Sequence, residues 1–157
     1  MVQQNSFHIP LSDPDRTEAL GRAIAPLLGR GDTLLLTGTL GAGKSHLARA
    51  IIRARLGREE DVPSPTFTLV QTYDHGEGDI WHADLYRLSH PDEVIELGLD
   101  EAFETAIALV EWPDRLGDLV PADPIKVDLR YDGDVRIAEI RFSGRPDLAD
   151  CLTGFGK

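Results

Sequence analysis

The eight residues Gly38-Thr39-Leu40-Gly41-Ala42-Gly43-Lys44-Ser45 constrain this chain more than any other stretch, because they match the pattern G-x-x-x-x-G-K-[ST] in full. Three glycines in eight positions let the backbone curl so that successive N–H groups share one concave side. The curl is flanked as it needs to be. Thr33 to Thr37 reads as a short apolar strand, and Leu47, Ala48, Ile51, Ile52 and Leu56 recur at helical spacing, with Gly57 as a C′ stop. A helix opening at Lys44 turns its unpaired N–H groups and the positive end of its dipole toward the loop. The ligand this favours is a phosphate chain, with Lys44 reaching the β- and γ-phosphates and Ser45 placed on Mg²⁺. A chance match arises in roughly one chain of this length in a few hundred, and the flanking strand and helix make accident rarer still.

The nucleotide is expected to be ATP. Guanine readers carry Asn-Lys-x-Asp after a strand, whereas the nearest run here is Ile125-Lys126-Val127-Asp128 and the one asparagine is Asn5. The net charge of −11 argues against an independent nucleic-acid binder, which needs a basic face. Lysine occurs three times, and Arg49, Arg53, Arg55 and Arg58 read as the solvated side of a helix. The 157 residues fit one domain. Residues 146–157 read as a loosely ordered tail. Apolar runs such as Ile107 to Val110 are far too short to span a bilayer, and the N-terminus lacks the charged and apolar regions of a signal peptide. One cysteine, Cys151, suits a reducing cytoplasm, the expected location.

Along the chain, Phe7 to Ile9 reads as a first strand. Ser12 with Asp15 reads as a capping box for a helix carrying Leu20, Ile24, Leu27 and Leu28. Pro63-Ser64-Pro65 enforces an extended connection, followed by strands over Phe67 to Tyr73 and Ile80 to Asp84. Ser89 with Asp92 reads as a second capping box for a helix through Leu97. Ile107 to Val110 has the continuous apolar character of a strand buried on both faces. Ile125 to Tyr131 and Val135 to Phe142 alternate around Asp132-Gly133 as a hairpin with a type I′ turn. The expected fold is a three-layer α/β domain with a mixed, mainly parallel sheet and a C-terminal β-hairpin.

Carboxylates at strand ends are the next candidates, since ligands of open α/β sheets bind at that edge. Glu111 follows the buried strand directly and is suited to Mg²⁺ or the attacking water. Asp84 ends the preceding strand; it suits the same metal or water, or a simple turn-forming role. Thr66, in the proline-bounded segment, suits a switch closing on the γ-phosphate, whereas Thr68 reads as an ordinary strand residue. His82 shares a strand face with Asp84, but the five histidines form no metal-ligand spacing. Trp112 reads as packing at the mouth of the site.

Four motifs in order, Gly38 to Ser45, Ser64-Pro-Thr-Phe-Thr-Leu69, His82-Ala-Asp-Leu-Tyr-Arg-Leu88 and Leu109-Val-Glu-Trp-Pro113, resemble the bacterial TsaE family, also called YjeE. The resemblance spans roughly residues 10 to 130 and implies the P-loop NTPase fold. It also implies an Mg²⁺-dependent ATPase, weak alone and stimulated by partners, in the pathway that places threonylcarbamoyladenosine beside the anticodon of tRNA. The implied partners are TsaD, the threonylcarbamoyl transferase, and TsaB, with tRNA met through that complex and no membrane role.

By the same likeness, Lys44, Asp84, Glu111 and Thr66 are the catalytic set, and Ser45, Glu111 and Asp84 the metal set. Thr39, Leu40, Gly41, Ala42, Gly43, Lys44, Ser45, His46 and Trp112 are the expected nucleotide contacts. Two positions depart from the family pattern: Thr39 stands where aspartate is common, and Ser45-His46 where two threonines are common. The alternatives are a small-molecule kinase, which adds an arginine-bearing lid, and a nucleotide-gated binding module with negligible hydrolysis.

Overall fold

The computed structural model describes residues 4–38, 43–57, 62, 69–76 and 78–155. Seven strands form one sheet: β1 (Gln4–Leu11), β2 (Thr33–Gly38), β3 (Val70–Tyr73), β4 (Ile80–Asp84), β5 (Ile107–Glu111), β6 (Ile125–Asp132) and β7 (Val135–Ser143). Their spatial order is β1-β7-β6-β2-β5-β4-β3. The central strands β6, β2, β5 and β4 pair in parallel, while β7 with β6, β1 with β7 and β3 with β4 pair antiparallel. β1 therefore runs the same way as the centre, so five of the seven strands share one direction.

The period-2 alternation of the central strands sorts the core into two layers. Leu34, Leu36, Ile107 and Leu109 join the cluster under α1 (Pro14–Ile24), α2 (Lys44–Leu56) and α5 (Pro146–Phe155). Leu35, Ala108 and Val110 join the opposite cluster, under α3 (Asp92–Glu96) and α4 (Leu99–Thr105). Two helical layers thus sandwich the sheet, as the sequence predicts. No helix among the described residues is long and apolar enough to cross a membrane.

Local details differ from the sequence reading for identifiable reasons. The first helix is capped by Asp13, whose side chain accepts from the Arg16 N–H at 2.9 Å, and not by Ser12. Pro14 occupies the first helical position and holds Asp13 extended, which fixes the start one residue later. At the second expected box, Pro91 stands at the cap, and the Glu93 carboxylate reaches back to accept from the Ser89 and His90 N–H groups. α4 was not anticipated. Its Leu99, Ala102 and Phe103 are buried at helical spacing between acidic residues.

The hairpin loop is Gly133-Asp134, because Asp132 pairs with Val135. Of these two loop residues Gly133 alone has positive φ, the type II′ pattern and not type I′. The 146–157 segment is also corrected, since residues 146–155 form α5 with Leu148 and Leu152 fully buried. Arg145 anchors its start, donating to the Asp32 carboxylate at 2.9 Å and the Leu27 carbonyl at 2.7 Å. Arg16 holds its end, donating to the Phe155 carbonyl and lying over the Phe155 ring.

Candidate nucleotide site

β2 and α2 meet at the glycine-rich turn, of which Thr39, Leu40, Gly41 and Ala42 lie outside the described residues, as do Thr66, Thr68 and residues 63–65. Gly43, the N-cap of α2, has φ 103°, a conformation open to glycine and strained for other residues. A glycine cap brings no side-chain acceptor, so the first-turn N–H groups of α2 face the loop without a side-chain cap. Among the described residues, the Leu47 N–H bonds back to the Gly43 carbonyl at 3.0 Å.

Lys44 is 5% exposed, and its ammonium donates to the Gly38 carbonyl at 2.6 Å, bridging the two ends of the turn. The same ammonium lies 4.3 Å from the centre of the Trp112 ring. Burial pulls the Lys44 pKa below its ordinary value, opposed by the fields of Glu111, Asp84 and Asp128. A strong cation held where its own solvation is poor is suited to receive phosphate oxygens.

Sheet parity places the acids. Ile80 and Ile107 face α2, so His82 and Asp84 on β4, and Glu111 on β5, face α2 as well. Parallel register sets Asp84 directly opposite Glu111 at the C-terminal sheet edge. The Ser45 hydroxyl meets both Glu111 carboxylate oxygens, at 2.9 and 3.1 Å. The inner Glu111 oxygen is 2.7 Å from Nε2 of His82. Asp84 accepts from the Tyr86 N–H at 3.0 Å, so one carboxylate oxygen shapes the turn after β4. The turn-forming role read from the sequence is thus present, and Asp84 also lines the site cleft.

A cleft of about 400 Å³ opens over these groups, lined by Lys44, Ser45, His46, Asp84, Glu111 and Trp112, with Arg49, Tyr86 and Arg87 at its margin. Trp112 follows Glu111 in a left-handed conformation, φ 58°, which turns the chain sharply and lays the indole against Tyr86, 4.9 Å between ring centres. Non-glycine residues held in this region concentrate at functional sites. His46 also borders the cleft. Burial lowers its pKa, opposed by Glu18 and reinforced by Arg49, Arg136 and Arg53.

The donor set fits Mg²⁺. No three His, Cys, Asp or Glu side chains cluster as a metal cage among the described residues, but Ser45, Glu111 and Asp84 converge as hard oxygen donors. Magnesium beside a nucleotide takes one or two carboxylates, phosphate oxygens and waters.

The structure brings together Gly43, Lys44, Ser45, His46, Asp84, Glu111 and Trp112. Two further residues join that the sequence reading left out of the site. His82 is bonded to Glu111, and its signal was the face it shares with Asp84. Arg136 on β7 reaches the loop from the hairpin, its guanidinium 2.8 Å from where a Gly43 Cβ would stand. Nothing local marks Arg136, because β7 is brought there by sheet order.

The family model described as threonylcarbamoyl adenosine biosynthesis protein TsaE matches residues 11–138. A Rickettsia bellii protein named tRNA threonylcarbamoyladenosine biosynthesis protein TsaE is 39% identical over 131 residues, covering 83% of this chain and 91% of its own. The Bacillus subtilis protein of the same name is 35% identical over 123 residues, covering 78% and 76%. The crystal structure of Bacillus subtilis YdiB superposes with a TM-score of 0.71 at 29% identity, covering 98% of this chain and 94% of that one. With a family match over most of its length, relatives above 30% identity and a shared seven-stranded P-loop fold, this chain belongs to the TsaE family.

Proposed function

We propose that the chain is a Mg²⁺-dependent ATPase of tRNA threonylcarbamoyladenosine biosynthesis, acting with the TsaD–TsaB pair. The observation that carries the reading is the bond between the Ser45 hydroxyl and Glu111 at the start of α2, beside a buried Lys44. In a phosphoryl-transfer site that corner holds the metal between nucleotide and protein.

Residues 39–42 and the first turn of α2 bind the phosphates through N–H groups, with Lys44 on the β- and γ-oxygens. Ser45 and Glu111 would hold Mg²⁺, which would neutralise phosphate charge. Asp84 would orient water at the same corner, and Thr66 would serve the γ-phosphate. His46 and Trp112 border the nucleotide. The open cleft suits completion by a partner, so turnover by the isolated chain is slow. The net charge of −11 supports docking on protein, with tRNA reached through the complex. Its place of work is the cytoplasm.

The test is Mg²⁺-dependent phosphate release with and without TsaB–TsaD, with Glu111→Ala as control. Stimulation by the pair, lost in the variant, supports the proposal. ATP consumption that requires a metabolite would replace it with a kinase. Full support of tRNA modification by a Glu111→Ala protein that binds but does not hydrolyse ATP would replace it with a nucleotide-gated module.

A further inference from the structure

His82 is 0% exposed, set deeper than either carboxylate it neighbours: Asp84 is 6% and Glu111 2% exposed. A polar ring at that depth is disfavoured unless its hydrogen bonds are made. Register places His82 opposite Leu109, so it meets Glu111 diagonally across the β4–β5 pair. Its Nε2 is 2.7 Å from Glu111 Oε2, and its Nδ1 is buried with no hydrogen-bond partner among the described residues. A neutral imidazole has one N–H, and the carboxylate beside Nε2 assigns the proton there. His82 therefore donates to Glu111 through Nε2.

Glu111 then receives two donors of different kinds. Ser45 approaches from α2 and touches both oxygens, while His82 approaches from inside the sheet and touches Oε2 alone. The terminal torsion of a glutamate is soft, so a carboxylate without an inner partner samples a broad range. With Oε2 shared between His82 and Ser45, Oε1 has Ser45 alone, at the shorter distance of 2.9 against 3.1 Å, and is the oxygen free of an inner partner. Mg²⁺ requires near-ideal octahedral geometry, whereas Ca²⁺ readily accepts both oxygens of one carboxylate.

We propose that His82 is the positioning residue of this site: its Nε2–H fixes Glu111 so that a single carboxylate oxygen is presented to the metal corner, favouring Mg²⁺ over Ca²⁺. The inference rests on the nucleotide–metal reading given above. Outer partners of this type change metal affinity roughly 10–100-fold when removed.

The experiment titrates ATP against wild type, His82→Leu and His82→Gln, following Trp112 fluorescence in EDTA, in Mg²⁺ and in Ca²⁺, with a melting curve for each protein. Glutamine places an N–H donor near the position of Nε2; leucine fills the space without one. Expected is unchanged metal-free affinity in all three, with His82→Leu needing roughly tenfold more Mg²⁺ and discriminating less against Ca²⁺. His82→Gln should recover most of the loss. Imidazole ¹⁵N spectra of the wild type should place the proton on Nε2, with its signal moving in Glu111→Gln.

A folded His82→Leu with native Mg²⁺ dependence, or a proton on Nδ1, would overturn the proposal. So would a folded His82→Gln as impaired as His82→Leu. If wild-type ATP affinity ignores Mg²⁺, the nucleotide–metal reading fails and the positioning role falls with it. The imidazole spectrum still reads the His82–Glu111 bond in that case, so the two failures are told apart.

Discussion

Lys44 has contacts among the described residues that a bound nucleotide would interrupt. It donates to the Gly38 carbonyl and lies over the Trp112 ring. Phosphate oxygens offer a charged acceptor, and hydrogen bonds of that class contribute about 1.5–3 kcal/mol each. Lys44→Met is expected to weaken ATP binding roughly 10–100-fold, measured by calorimetry. The same substitution should leave the melting temperature of the nucleotide-free protein unchanged or higher. The sign follows from the lowered pKa: the fold holds the Lys44 proton less readily than the unfolded chain does. Its charge therefore costs stability at neutral pH, and the cost is relieved as pH rises through the lowered value. A nucleotide-free variant that melts well below wild type would contradict this account. In the wild type, ATP should change Trp112 emission as the ammonium leaves the ring.

Among the elements, the contact between α1 and α2 allows a sharp test, because α2 follows directly on the glycine-rich turn. Gly21 is buried in α1, and a Cβ there would come within 2.7 Å of the Ala50 Cβ and 3.2 Å of the α2 backbone. Helix propensity alone favours Gly21→Ala by about 1 kcal/mol, but overpacking against backbone costs about 1–3 kcal/mol. The expected net is a loss of stability with a melting temperature lower by roughly 3–6 °C. Gly29→Ala, with nothing within 4 Å of the added carbon, should be near neutral.

Elements are also where the sequence was most and least readable. β2, α2 and β5 announced themselves through continuous or periodic apolar residues, and the P-loop through its own pattern. Glu111 and Asp84 were legible because a carboxylate closing an apolar run marks a strand end. The His82–Glu111 bond was not, since it depends on β4 and β5 registering across 29 residues of chain. The hairpin was found but framed one residue early, because Asp132-Gly133 and Gly133-Asp134 both suit a two-residue loop and pairing decides between them. α5 was missed and read as a tail, although Pro146, Asp147 and the spacing of Leu148 and Leu152 are helix signals. What fixes it in place is the distant pairing of Arg145 with Asp32.

For the whole molecule, Arg145 ties the C-terminal helix to the start of β2 by bonds to Asp32, Leu27 and Asp147. Arg145→Ala is expected to destabilise the protein by about 1–3 kcal/mol in urea titration at neutral pH. The hydrogen bond from Arg145 chiefly holds the Asp147 carboxyl below its ordinary value. Stability from that pair is present above the unfolded carboxyl value and lost as pH falls through the lowered one. The gap between wild type and variant should therefore narrow in acid; a gap that widens would contradict this assignment.

The edge position of β1 bears on how the chain is made. Gln4 pairs with Ser143 and Leu11 with Arg136, and β7 is the strand on which β1 is laid. During synthesis, β1 leaves the ribosome before β7, the strand it pairs with, and has no neighbour until β7 follows. Its eight residues carry Phe7, Ile9 and Leu11 toward a core that does not yet exist, and long-range pairings of this kind close slowly. β2, α2 and β5, by contrast, all emerge before β7 and can pack on one another without it. The centre of the sheet and its edge thus form at different times, and the nascent chain carries an open strand until β7 has emerged.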